Sequence, residues 1–157
     1  SVGRGDLAVI WGGAAAVLLG DLLKGLAAAA LGDLVGTEAL GFAAGFAAVV
    51  GHCFPVWYRF RGGKGVAAGG GALLWLEPVL GVALIAIWGV GAFVLKRASV
   101  ASLTIAVLYL PGLVLFGHRN WSLAWAAATA ALIVARHAGN IRRLVSGTEH
   151  VIEESES

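Results

Sequence analysis

Apolar residues run along this chain in long blocks, separated by short punctuation of charge and glycine. A helix that crosses a bilayer needs about 20 apolar residues, so the blocks read as membrane spans. Leu7 to Leu31 is the first, interrupted by Asp21 and Lys24, and Ala39 to Tyr58, free of formal charge, is the second. Gly65 to Leu76 is a short block that Glu77-Pro78 separates from Val79 to Leu95. Ser99 to Phe116 and Trp121 to Ala135 follow, the latter leading into a polar segment from Arg136 to Glu149. The short block covers only about 18 Å of helix, so it either crosses tilted or starts inside the membrane with its N-terminus at the preceding loop. The residues after His150 are acidic and read as a disordered tail. The pattern predicts an all-α integral membrane protein, a polytopic bundle of about six apolar segments. No linker divides it, so residues 1–157 are read as one domain.

Composition agrees. Hydrophobic residues make up 59% of the chain and charged residues 13%, where a soluble domain carries about 25% charged residues. Mean hydropathy is +0.88. The 24 glycines, among them the Gly41-x-x-x-Gly45 pair, suit helices whose backbones approach closely. The single cysteine, Cys53, excludes an intramolecular disulfide and reads as apolar filler. The chain holds no methionine and opens at Ser1 like the middle of a loop, so an N-terminal segment is expected to precede it.

Charge sets the orientation. If each block crosses once, Arg4, Arg59/Arg61/Lys64, Lys96/Arg97 and Arg136/Arg142/Arg143 share one side, nine of the eleven lysines and arginines. The other side holds Asp33, Glu38, Glu77 and Arg119. The basic side, with its Gly-rich loops, is expected to be cytoplasmic.

The candidate chemistry lies on that basic side. Gly62-Gly63-Lys64-Gly65 lacks the Walker spacing, having Tyr58 where a glycine is needed and Gly65 where a Ser or Thr is needed. Its physics is similar: glycines admit a phosphate to the backbone, the next helix offers its positive end, and Lys64 adds a point charge. Topology alone requires the charge but not three glycines. His52 is either a hydrogen-bonded structural residue or, as an intramembrane ionisable group, functional. Ser99 either donates a hydroxyl to phosphate or caps a helix. Asp21 and Lys24 share a helix face and form either a structural pair or part of the site. Asn140, Arg143 and Leu144 share a face in the terminal segment, with Arg136 one turn before Asn140. A membrane-surface amphipathic helix explains the arginines there but not Asn140 or the turn through Gly147 to Glu149. The scattered histidines and absent G-x-S-x-G elbow speak against a metal centre or a serine hydrolase.

The stretch "GHCFPVWYRFRGGKGVA" resembles the signature of the bacterial acyl-phosphate:glycerol-3-phosphate acyltransferases. Gly51, His52, Phe54, Pro55, Phe60, Gly62, Gly63, Lys64, Gly65, Val66 and Ala67 all match it. "RHAGNIRRLVSGTE" is similar to that family's third motif through Arg136, His137, Asn140, Ile141, Arg143, Leu144, Gly147, Thr148 and Glu149. "GDLLKG" also matches. The first motif departs: against G-S-G-N-x-G-A-T-N and an arginine, this chain offers only "SVGRGDLAVIWGG", with Ser1 and Asp6 loosely aligned.

The resemblance implies a bacterial inner-membrane enzyme that joins acyl phosphate to glycerol 3-phosphate among membrane lipids, without cofactor or metal. Neither a nucleic-acid nor an obligate protein partner is expected. It marks Lys64, His52, Asn140 and Glu149 as catalytic candidates, and Gly62, Gly63, Gly65, Ser99, Arg143 and Ser1 as substrate binders. Rival readings are a small-anion transporter and an inactive lipid-phosphate-binding homologue. The transporter fits less well, because the charges gather at one interface and no inverted repeat is apparent.

Overall fold

The computed structural model describes the backbone of residues 4–150 and the side chains of residues 12–150. Seven α-helices account for most of it: α1 (Arg4–Val35), α2 (Glu38–Cys53), α3 (Val66–Leu76), α4 (Pro78–Leu95), α5 (Ala98–Leu115), α6 (Asn120–Arg136) and α7 (Ala138–Val145). Four segments are long and apolar enough to cross a membrane: Gly12–Val35 in α1, Glu38–Tyr58 comprising α2 and the turn after it, α4 and α5. Neighbours pack in the order α2, α3, α4, α5 and α6, with α6 returning to α2, while α1 lies outside against α2 and α3.

Small residues allow these contacts. A Cβ on Gly25 would lie 1.9 Å from the Ala68 carbonyl oxygen, and one on Gly71 only 1.8 Å from that of Leu22. Between α1 and α3, backbone therefore touches backbone. Gly71→Ala is expected to pry them apart at a cost of about 1–3 kcal/mol, read as a lower melting temperature in detergent. Gly89, with nothing within 4 Å of its would-be Cβ, is the matching control and should tolerate alanine.

The second span stops earlier than the apolar block suggests. Proline disfavours the α conformation in the residue before it, so Phe54 leaves the helix and Val56–Tyr58 forms a 3-10 turn. Trp57 and Tyr58 are 91% and 73% exposed, as aromatic residues at a membrane interface are. The short block α3 starts at the loop, where Gly65 packs against Val49, Cys53 and Ile133.

Asp33, Glu38 and Glu77 stand at the other end of the bundle. Trp75 Nε1 donates to Asp33 at 3.0 Å and Ser122 Oγ to Glu38 at 2.8 Å. His118, buried on the α5–α6 turn, stands 2.7 Å from Glu38 and 3.2 Å from Glu77. Ser1 and the acidic tail from residue 151 lie outside the described residues.

Candidate active site

The glycine loop is pinned to the end of α2. The Gly62 amide donates to the Cys53 carbonyl at 3.1 Å, and the Gly63 amide to the His52 carbonyl at 3.2 Å. The loop's own carbonyls face Arg136, whose Nη2 reaches Gly62 O at 3.0 Å and whose Nε reaches Gly63 O at 3.2 Å. That guanidinium also stacks over Phe54, 5.2 Å from the ring centre. Only glycine fits: a Cβ on Gly62 would sit 2.0 Å from His52 O, and one on Gly63 2.0 Å from His52 Nε2.

This corrects the reading of Gly62 and Gly63 as bare-amide phosphate binders, because α2's terminal carbonyls already take both amides. The open donors lie one step later. Gly65, at φ +84°, precedes α3 without any side-chain cap, and its amide has no partner among the described residues. The positive end of α3 is therefore free for an anion. Lys64 projects from the same turn. Partial burial holds its ammonium below the ordinary value; Glu149 opposes that shift and Arg143 adds to it.

Glu149 is a hub rather than an exposed carboxylate. Its Oε1 accepts from Ser99 Oγ at 2.5 Å and Asn140 Nδ2 at 2.6 Å, and its Oε2 from Arg143 Nε at 2.8 Å. Three residues apart on α7, Asn140 and Arg143 share a face, and Gly147 at φ +71° turns the chain so that Glu149 folds back onto them. Burial pushes the Glu149 carboxyl up, but the hydrogen bonds from Ser99, Asn140 and Arg143 and the charge of Arg143 outweigh it and bring it down to about 2. Ser99 thus neither caps α5 nor has its proton free for phosphate, since that single proton is given to Glu149. Arg143 keeps its two outer nitrogens.

The Asp21–Lys24 pair joins the site through His52. Lys24 Nζ lies 2.6 Å from Asp21 Oδ1 and 2.9 Å from His52 Nδ1.

Three residues in this region were not among the site candidates read from the sequence. Arg136 belongs to the glycine loop rather than to the Asn140 face. His137 is 1% exposed, and its Nδ1 donates to the Ile133 carbonyl at 2.8 Å. Burial lowers its pKa, so it is a neutral ring with Nε2 bare. Its place beside Arg136 in the terminal motif was the available signal. Arg97 carries a buried Nε that finds no acceptor among the described residues, an arrangement that suits an anion.

Beyond the loop the surface becomes apolar. A cavity of about 190 Å³ is lined by Val66, the first residue of α3, together with Gly70, Leu73, Leu84, Tyr109 and Ile133.

The comparisons with known proteins agree with this geometry. Residues 8–147 match the family model described as glycerol-3-phosphate acyltransferase. The glycerol-3-phosphate acyltransferase of Hyphomonas neptunium is 45% identical over 149 residues, covering 94% of this chain and 69% of the relative. That of Rhizobium meliloti is 47% identical over 142 residues, covering 90% and 68%. Among solved structures, the integral membrane glycerol 3-phosphate acyltransferase PlsY is similar in its glycerol 3-phosphate form, with a TM-score of 0.84, 31% identity and coverage of 96% of this chain and 80% of that one. Its lysophosphatidic acid form gives a TM-score of 0.81 at 34% identity, covering 87% and 71%. On the matched motifs, the helical bundle and these likenesses together, the chain belongs to the glycerol-3-phosphate acyltransferase family, a family of integral membrane enzymes.

Proposed function

We propose that the chain moves a fatty acyl group from acyl phosphate to the 1-hydroxyl of sn-glycerol 3-phosphate, giving lysophosphatidic acid and inorganic phosphate. The observation that carries this reading is the apolar cavity lined by Val66, the first residue of α3 and two residues after Lys64, at that helix's uncapped end. An acyl phosphate has that shape, a long apolar chain ending in a dianion. The glycerol 3-phosphate form of the PlsY neighbour supports the acceptor.

The acceptor's C1 hydroxyl oxygen attacks the acyl carbon, the bond from that carbon to the phosphate oxygen breaks, and a phosphate oxygen takes the hydroxyl proton. The donor is already activated, so positioning and charge neutralisation carry most of the burden, and orientation alone is worth on the order of 7–11 kcal/mol. Lys64 and the Gly65 amide hold phosphate and developing oxyanion, with Arg97 Nε and the outer nitrogens of Arg143 as further anion contacts. Glu149 is no base here, because three donors already occupy its carboxylate. In this reading the loops face the cytoplasm at the bacterial inner membrane, which the one-sided lysines and arginines support.

Purified protein given acyl phosphate and glycerol 3-phosphate should release phosphate and form lysophosphatidic acid. Comparable rates with acyl-CoA would overturn the donor assignment. Phosphate uptake into proteoliposomes without acyl transfer would favour a transporter.

Asn140→Ala removes a donor to the buried Glu149 carboxylate, a hydrogen bond to a charged group worth about 1.5–3 kcal/mol. It should lower turnover at least about tenfold. Arg142, exposed on the opposite side of α7, should tolerate alanine. The reverse pattern in steady-state rates would reduce this segment to a membrane anchor.

A further inference from the structure

Asp21 and Lys24, within the span of α1, meet His52 near the end of α2, just before the chain enters the glycine loop. Lys24 Nζ is 2.9 Å from His52 Nδ1, and Asp21 Oδ1 is 3.2 Å from the same nitrogen. The two contacts require different tautomers. An ammonium has three protons to give and no lone pair, so the Lys24 bond exists only when Nδ1 is bare and the ring proton rests on Nε2. The Asp21 bond requires the proton on Nδ1. The Lys24 contact is the shorter, and Asp21 Oδ1 is already occupied by that ammonium at 2.6 Å. A lysine within a span is costly unless paired, which accounts for Asp21 as its counter-charge.

The far side of the ring faces the loop. Nε2 lies against Gly63, with no room for a Cβ between them, and takes no partner among the described residues. The His52 side chain keeps 15% of its exposure. Two cations stand nearest the glycines: Arg136, on α6, is committed to the Gly62 and Gly63 carbonyls, and Lys64 follows them in the chain.

We propose that Asp21 and Lys24 are positioning residues that hold His52 as the Nε2–H tautomer, so that the imidazole donates a hydrogen bond to a phosphate oxygen at the loop instead of removing a proton from the substrate. The anion half rests on the function proposed above, but the tautomer does not.

Nitrogen and carbon NMR of histidine-labelled full chain in detergent micelles, at a pH where imidazole is neutral, tests the two halves separately. The His52 signal is assigned by its loss in His52→Gln. The wild-type ring should show the Nε2–H pattern, and Lys24→Met should move it towards Nδ1–H. An Nδ1–H ring in the wild-type chain, or a tautomer indifferent to Lys24→Met, overturns the proposal. The wild-type spectrum needs no variant, so misfolding of Lys24→Met does not shield it. Inorganic phosphate should shift the His52 signal and bind about tenfold more weakly to Lys24→Met. It should also bind His52→Gln, which keeps a donor near Nε2, more tightly than His52→Ala. A correct tautomer whose signal phosphate leaves unmoved refutes the donor role and counts against the loop assignment.

Discussion

Glu149→Ala should cost about 3–5 kcal/mol of stability and abolish measurable acyl transfer. The carboxylate accepts from Ser99, Asn140 and Arg143 and is 8% exposed. Removing it leaves a buried hydroxyl, an amide and a guanidinium without their acceptor, and it frees the segment after α7 from the start of α5. Glu149→Gln keeps the shape but turns an NH₂ towards donors, so it should lower turnover at least about tenfold even where the fold survives. The same hub predicts an acid limit. The folded carboxyl sits near 2 against an ordinary 4.5, a depressed value, so its stabilisation is fully present above 4.5 and is lost as pH falls towards 2. Melting temperature against pH in detergent should decline through that window in the wild-type chain and be flatter in Glu149→Gln. A wild-type curve no steeper than the variant's would remove Glu149 from the role of hub.

Lys64→Ala should reduce kcat/KM by about 10²–10³ while leaving the melting temperature nearly unchanged. The two effects separate because Lys64 is exposed and makes no direct hydrogen bond within the described residues, whereas the proposed reaction brings anionic phosphate to it. Lys64→Arg should not restore activity, since a planar fork does not replace a compact ammonium in a loop this tight. Because partial burial already holds the ammonium below its ordinary value, activity should fall on the alkaline side before an unperturbed lysine would titrate. Turnover unchanged in Lys64→Ala would defeat the assignment.

The two experiments read different things. Glu149 shapes the site from behind, through α5 and α7, whereas in the proposed reaction Lys64 meets the substrate. A Glu149 variant is therefore expected to lose stability and rate together, and a Lys64 variant to lose rate alone.

What the sequence determined by itself was everything that depends on position along one axis. Transfer of an apolar residue into lipid is a property of the residue and its neighbours in the chain, so the apolar blocks, the membrane class and the gathering of cations at one end could be read directly. That the loop demands glycine was legible because topology asks for its charge but not for three glycines, and the shared face of Asn140 and Arg143 followed from helical period. Tertiary structure alone decided who satisfies whom. Gly62 and Gly63 lost their amides to α2 because the last carbonyls of a helix need donors and Pro55 bends the chain back within reach. Ser99 gave its proton to a glutamate 50 residues away, Arg136 left the Asn140 face for the loop carbonyls, and Asp21 and Lys24 found His52 on another helix. A hydrogen bond is short and directional, and its partner is set by how helices dock in three dimensions, which a one-dimensional pattern of polarity does not encode.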